Sequence, residues 1–353
     1  MDMERHFFPG GNTSQGFYSR FASIMPKEDI KRKIILKGGP GVGKNTLMRR
    51  IAQTLRGMGA RMEYFHCASD PDSLDGIAAP EMGFVMVDGT APHVIDPVLP
   101  GAVDGILNLG ECLREESLTA SRLQIRDTME EISRCFLRVY DYLGAAAPLL
   151  AGSAREWREK TSPEVLARLC RALCDKWLPQ GEGVGVERQL FSEAFTPKGQ
   201  VSYLPTLLEK KVACISSPWG LSPHPVLSGI KAEALRRGIS VEGLYHPLIP
   251  GELCHLIFPT LNLSVVTGPV PRADETVMLQ EELSLPQGLS REQAFDKNAY
   301  ELLLLRAVES LKEVKERHDT LEKWYTAAMD YDKWEKALER TEETVRGMEK
   351  GQA

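Results

Sequence analysis

Lys33-Ile34-Ile35-Leu36-Lys37-Gly38-Gly39-Pro40-Gly41-Val42-Gly43-Lys44-Asn45-Thr46 is the stretch that decides how this chain reads. Ile34, Ile35 and Leu36 form a short apolar run, which predicts a buried strand. A glycine-rich turn follows at once, and Leu47, Met48, Ile51, Ala52 and Leu55 then recur at helical spacing. Glycine turns occur before helices with no phosphate to bind. Here strand, loop and helix are contiguous, the setting that phosphate binding requires.

The residue types fit that chemistry. Gly38, Gly41 and Gly43 free the backbone to turn its amides toward phosphate oxygens, and the helix N-terminus adds partial positive charge. Lys44 supplies an ammonium for the β- and γ-phosphates. Gly38, Gly39, Pro40, Gly41, Val42, Gly43, Lys44, Asn45 and Thr46 are therefore the expected nucleotide contacts. Against the pattern G-x-x-x-x-G-K-[ST], Gly38, Gly43 and Lys44 fit, whereas Asn45 stands where a Ser or Thr hydroxyl coordinates Mg²⁺. An Asn carbonyl oxygen is also a Mg²⁺ ligand, but it is longer and differently placed. Nucleotide binding follows from the loop, while efficient hydrolysis depends on what Asn45 permits.

A second acid is expected at the end of another buried strand. Phe84-Val85-Met86-Val87-Asp88 supplies it, with Asp88 holding Mg²⁺ through water. Lys44 and Asp88 are thus the expected catalytic residues, and Asn45 and Asp88 the metal ligands. Gly89 follows, not the Glu that many ATPases use to orient water. Asp70, Asp72, Asp75, Glu81 and His93 remain as candidate bases by sequence proximity. Loop caps and solvated charges account for most residues of this kind. Arg20, Arg49, Arg50 and Lys198 are the basic residues considered for the transferred phosphoryl, each expected mainly as a solvated surface charge. Lys198 would bring the second half of the chain to the site of the first.

The chain repeats itself. An offset of 179 lays Lys33 to Thr90 on Val212 to Pro269 without gaps. Gly41 meets Gly220, Glu63 meets Glu242, Pro71 meets Pro250, Pro80 meets Pro259 and Gly89 meets Gly268. At an offset of 183, Arg5-His6-Phe7-Phe8 resembles Arg188-Gln189-Leu190-Phe191, and Thr13-Ser14-Gln15-Gly16 resembles Thr196-Pro197-Lys198-Gly199. Asp127-Thr128-Met129-Glu130 resembles Asp319-Thr320-Leu321-Glu322. Agreement in order across three segments argues for duplication. The second copy lacks the chemistry: Pro223 stands at the Lys44 position, Pro225 at Thr46 and Thr267 at Asp88. Prolines lack the amide hydrogens that a phosphate cradle uses. One competent site and one pseudo-site follow, the latter a structural partner or a substrate-reading surface.

Composition sets the outer limits. At roughly 150 residues per domain, 353 residues suggest about two domains. We read residues 1–182 as an N-terminal unit with a helical extension, and 183–353 as a degenerate repeat with a helical hairpin. Gly181-Glu182-Gly183-Val184-Gly185 is the expected linker. Helical patterning covers 111–142, 163–177, 298–329 and 332–348, the last two as a charged hairpin. Hydrophobic residues at 42% and charged residues at 26% suit a folded soluble chain, and a net charge of -6 argues against a nucleic-acid coat. The longest central apolar run, 143–151, is too short to span a membrane. The start, Met1-Asp2-Met3-Glu4-Arg5-His6, is not expected to be a signal peptide. Seven cysteines at irregular spacing point to no disulfide framework. Cys170 and Cys174, at i, i+4, read as packing residues, and a reducing cytoplasm is the expected location.

The run from Phe8 to Phe17, the glycine loop, His66-Cys67-Ala68-Ser69-Asp70-Pro71-Asp72-Ser73-Leu74-Asp75, Asp88 to His93, and Thr196 to Gly199 together resemble a poorly characterised bacterial, mainly Firmicute, family of duplicated P-loop ATPase-like proteins. The resemblance covers nearly the whole chain and implies ATP binding without a settled substrate. Similar proteins keep a GKS/T-type loop in the first half and often in the second. This chain departs at Asn45 and across Ser216 to Pro225.

The expected fold is α/β, with two tandem P-loop NTPase-type units, each a parallel sheet flanked by helices and carrying a helical extension. The expected function is an Mg²⁺-dependent ATPase working at the N-terminal site alone. A nucleotide-kinase-like phosphotransferase and a nucleotide-sensing scaffold with negligible turnover are the alternatives. ATP and Mg²⁺ are the expected ligands, ATP by default because no NKxD-type guanine signature is present. The other partner is an unidentified protein or small molecule, with no membrane and no indication of nucleic acid.

Overall fold

Apolar strands that bury both faces organise the molecule. The computed structural model describes residues 4–91 and 93–348. Residues 1–3 of the N-terminal run, Pro92 of the Asp88–His93 segment and residues 349–353 lie outside them. The first unit holds β1 (Arg5–Phe7), β2 (Gly10–Thr13), β3 (Gly16–Ser19), β4 (Arg32–Lys37), α1 (Lys44–Gly57), β5 (Glu63–Cys67), β6 (Asp70–Ala79), β7 (Phe84–Asp88) and β8 (Asp104–Asn108). Helices α2 (Glu115–Ala120), α3 (Arg122–Lys160) and α4 (Pro163–Trp177) follow. The second unit holds β9 (Glu187–Leu190), β10 (Glu193–Thr196), β11 (Gly199–Ser202), β12 (Lys211–Ser216), α5 (His224–Arg236), β13 (Val241–Tyr245), β14 (Leu253–Phe258), β15 (Leu263–Thr267) and β16 (Glu275–Met278). Helices α6 (Leu279–Glu282), α7 (Arg291–Ala327) and α8 (Tyr331–Gly347) complete it.

The two six-stranded sheets repeat one another. The first runs β1-β5-β6-β7-β4-β8, and the second, read from its far edge, β9-β13-β14-β15-β12-β16. The offset of 179 carries β4 onto β12 and β7 onto β15, residue for residue. It also carries Gly83 onto Asn262, both in the left-handed region at φ 65 and 49.

The sheets are mixed, which corrects the expectation of parallel sheets. β6 runs antiparallel to both β5 and β7, and β14 antiparallel to both β13 and β15, while the remaining pairs are parallel. Ala68 and Ser69 alone join β5 to β6, and residues 80–83 join β6 to β7. A parallel crossover needs a dozen residues or more, so these links force a meander.

Alternate residues of each strand face opposite layers. Ile34, Leu36, Phe84 and Met86 pack beneath α1. Ile35, Val85 and Val87 meet Val212, Cys214 and Val266 of the second sheet. Each sheet therefore has helices on one face and the other sheet on its other face. This explains the continuous apolar runs, since both strand faces are buried.

The helices do not stay with the unit that precedes them. α3 runs on through Pro148 to Lys160, beyond the 142 expected, and packs along α7 through Val139, Leu143, Ala146, Ala307 and Leu311. α4 then seats Leu169, Leu173 and Trp177 against Leu227 and Ile230 of α5, in the second unit. α8 seats Leu338 and Val345 against Leu47, Met48 and Ile51 of α1, in the first. α7 starts earlier than expected because Ser290 and Gln293 form a reciprocal N-terminal cap. Cys170 packs at half-burial and Cys174 in the core of that α4 contact, and all seven cysteines are free thiols.

A buried ion network sits between the sheets on residues the repeat relates. The Arg5 guanidinium donates to Glu63 Oε1 and to Glu242 Oε1, each at 2.9 Å. Arg188 donates to Glu63 Oε2 at 2.5 Å and to Glu242 Oε1 at 3.0 Å. Burial opposes ionisation of Glu242, yet Arg5 and Arg188 hold its carboxyl below the usual range. Phe8 and Phe191 exchange backbone hydrogen bonds of 2.9 and 3.2 Å across the same seam. Among the described residues, no helix is long and apolar enough to cross a membrane.

Candidate functional site

The loop between β4 and α1 turns at Gly38 (φ 154), Gly41 (φ 71) and Gly43 (φ 79), conformations that side chains resist. Lys44 opens α1, and its ammonium donates to the carbonyls of Gly38 at 2.7 Å and Gly39 at 3.1 Å. Parallel pairing of β4 with β7 brings Asp88 alongside, so that Asp88 Oδ2 lies 3.3 Å from Lys44 Nζ. Asp88 Oδ1 accepts from Thr90 N at 2.8 Å, and Thr90 Oγ1 donates to Gly38 O at 3.0 Å. Lys44 and Asp88, distant in sequence, thus converge at the mouth of the glycine loop.

The antiparallel strand β6 adds a third group. Gly76 pairs with Val87, which sets Asp75 across from Asp88. Asp75 is buried, and its carboxyl is pushed up to about 8 by desolvation and then by the charge of Asp88. His93 Nε2 lies 3.6 Å from Asp75 Oδ2. Desolvation lowers His93 to about 4, and the ring sits between Phe17 and Phe21. At pH 7 Asp75 is protonated and His93 neutral, so their approach is not an ion pair. The Cys67 thiol, pushed up by burial and then by Asp75, completes this pocket of suppressed charge.

Of the sequence-derived bases, Asp75 and His93 reach the site. Asp70 binds Ser73 Oγ at 3.0 Å and faces Lys315 at 3.4 Å. Glu81 pairs with Arg61 on the surface. Asp72 is exposed, and Lys198 reaches it from the second unit at 2.6 Å, lowering its carboxyl. Arg49 donates to Asn45 Oδ1 at 3.1 Å and to the Asp72 carbonyl at 2.6 Å. Thr46 and Arg50 are exposed on α1. Arg20 is not the surface charge expected: it is buried at the seam, 3.7 Å over the Tyr245 ring, and donates to the Pro250 carbonyl.

The sequence reading missed what covers the loop. A methyl group on Gly39 would stand 2.5 Å from the Tyr325 ring, and one on Gly43 2.7 Å from the Trp334 indole nitrogen. Gly41 faces Thr326 Oγ1 and the Glu322 carbonyl at 2.8 and 2.9 Å on the same measure. The end of α7 and the start of α8 therefore lie directly on the loop. The aromatics clustered at the α7–α8 junction, Trp324, Tyr325, Tyr331 and Trp334, were the available signal.

Comparison with known proteins finds no matching family model, no matching curated protein and no matching solved structure.

Proposed function

We propose that the protein binds ATP·Mg²⁺ at the glycine loop of the first unit and hydrolyses it there, in the manner of a P-loop ATPase. The observation that carries this reading is the meeting of the Lys44 ammonium and the Asp88 carboxylate, 3.3 Å apart, beside a loop with three left-handed glycines. The loop amides and Lys44 would hold the β- and γ-phosphates. Asp88, and Asn45 if its side chain were released by Arg49, would hold Mg²⁺, which would supply positive charge to the phosphates. Asp75, raised to about 8, would act as the base only in the form that has lost its proton, which grows as pH rises toward that value. That carboxylate would accept a proton from the attacking water as the water oxygen bonds to the γ-phosphorus. The bridging P–O bond breaks, and ADP and phosphate leave.

Asn45 favours a second reading. Its carbonyl oxygen is engaged by Arg49, which suits a sensor that binds ATP with little turnover. Calorimetry of ATP·Mg²⁺ with wild type and Lys44→Ala, with released phosphate followed in the same samples, separates the cases. Binding that Lys44→Ala weakens at least tenfold, about 1.4 kcal/mol, together with phosphate release, supports the ATPase. Binding without release supports the sensor, and Asn45→Ser then restores turnover if Asn45 is the cause. A folded wild type that binds no ATP overturns both.

A further inference from the structure

The second unit carries its own cavity, about 690 Å³, where the first carries the glycine loop. Its wall includes the loop 217–223, Cys254 and Thr267, which stand at the positions of the glycine loop, Asp75 and Asp88. The volume falls in the range of small-molecule sites.

The wall has one sign of charge. Glu193 and Glu252 line it, and among the described residues no lysine or arginine does. Neutral groups hold both carboxylates: Gln200 Nε2 at 2.7 Å and Ser202 Oγ at 3.1 Å on Glu193, and Ser222 Oγ at 2.9 Å on Glu252. The two lining imidazoles add no positive charge. His246 Nδ1 accepts from the amides of Leu248 and Ile249 at 3.0 and 3.1 Å, and His255 Nδ1 from Thr267 N at 3.1 Å. Burial holds both below the ordinary imidazole range, His255 at about 4 even with Glu193 opposing. Two carboxylates thus face a space with no lining cation.

Much of the rest of the wall is apolar or aromatic, with Ser217 and Thr267 as uncharged polar groups. The Trp219 and Tyr300 rings meet edge-on at 5.8 Å, and the Trp219 indole nitrogen is buried without a hydrogen-bond partner among the described residues. Aromatic faces beside carboxylates attract organic cations, through the ring quadrupole as well as the full charge. The same wall repels phosphates, and prolines at 218 and 223 remove amides from the loop.

We propose that this cavity binds a small organic ammonium ion, its charge met by Glu193 and Glu252 and its carbon body by Trp219 and Tyr300. The site is separate from the glycine loop, so it stands whether or not the first unit binds ATP.

Calorimetry of the full chain tests this with choline and putrescine as cationic probes. The controls are 3,3-dimethylbutan-1-ol, the uncharged counterpart of choline, and AMP, an anion. The expected result is saturable binding of at least one cation, no binding of the alcohol or AMP, and affinity at least about tenfold weaker in Glu252→Gln. Ser217→Lys, which sets an ammonium in the wall, should abolish binding in a protein whose thermal unfolding is unchanged. Lys44→Ala should leave it intact. Absence of binding by both cations to millimolar concentration, alcohol binding equal to choline, binding of AMP, or indifference to both substitutions each overturns the assignment.

Discussion

Asp75 is buried beside Asp88, and its carboxyl titrates near 8 instead of the ordinary 3.8. Between these values the folded protein keeps a proton that the unfolded chain has lost. Stability must therefore fall as pH rises from about 4 to 8, and level off above. Asp75→Asn removes that slope. In protein free of Mg²⁺ and nucleotide, the variant should gain on wild type across this window, reaching more than about 1 kcal/mol at pH 8. Urea unfolding at pH 5 and pH 8 measures it, and parallel pH curves for the two proteins would contradict the burial argument. The same substitution should abolish phosphate release, because Asn accepts no proton. Lys44 and Asp88 were legible in the sequence because a strand ending in Asp after a glycine loop has one spatial meaning. Asp75 was one of five equal candidates. Choosing it required knowing that β6 turns back, since register alone puts Asp75, and not Asp72, opposite Asp88.

Two charged helices at the chain's end hold the glycine loop in place. Their existence was legible from periodicity, and Leu338, Thr341 and Val345 form the buried stripe on α8. Their seat was not. A stripe states that a face is covered but not by what, and sequence adjacency suggested the second unit where the structure has α1 of the first. Leu338 is 6% exposed in that contact. Leu338→Ala should cost about 2–4 kcal/mol, measured by urea unfolding. Because Trp334 and Tyr325 rest on the loop, the loss should also reach the loop amides, whose hydrogen exchange should accelerate while that of β12 and β15 stays unchanged. Faster exchange in both sheets alike would mean that α8 supports the whole core and not the loop in particular.

At the scale of the molecule, the repeat was readable as offsets of 179 and 183, and the network of Arg5, Glu63, Arg188 and Glu242 lies on the residues those offsets pair. The interlocking of the copies was not readable, because pairwise similarity says which residues correspond and nothing about which copy a helix covers. α4 covers α5, α8 covers α1, and the sheets share Ile35, Val87, Val212 and Val266 in one core. A chain cut between 182 and 183, within the irregular stretch between α4 and β9, would leave each half with an uncovered sheet face and an uncovered helix. It would also leave Glu63 with Arg5 alone and Glu242 with Arg188 alone, each pair opened to water and so worth little. The uncovered sheet face and helix weigh more, set against an ordinary domain's stability of only about 5–15 kcal/mol. Each half expressed alone should therefore lack a cooperative thermal transition. The two co-expressed should return a one-to-one complex that melts as a single unit, because every lost contact is restored without a covalent link. Glu242→Ala in the second half should weaken that complex. A cooperative melt from either half alone would show that its own sheet and helices suffice, and the exchanged helices would then be an accessory to two independent domains.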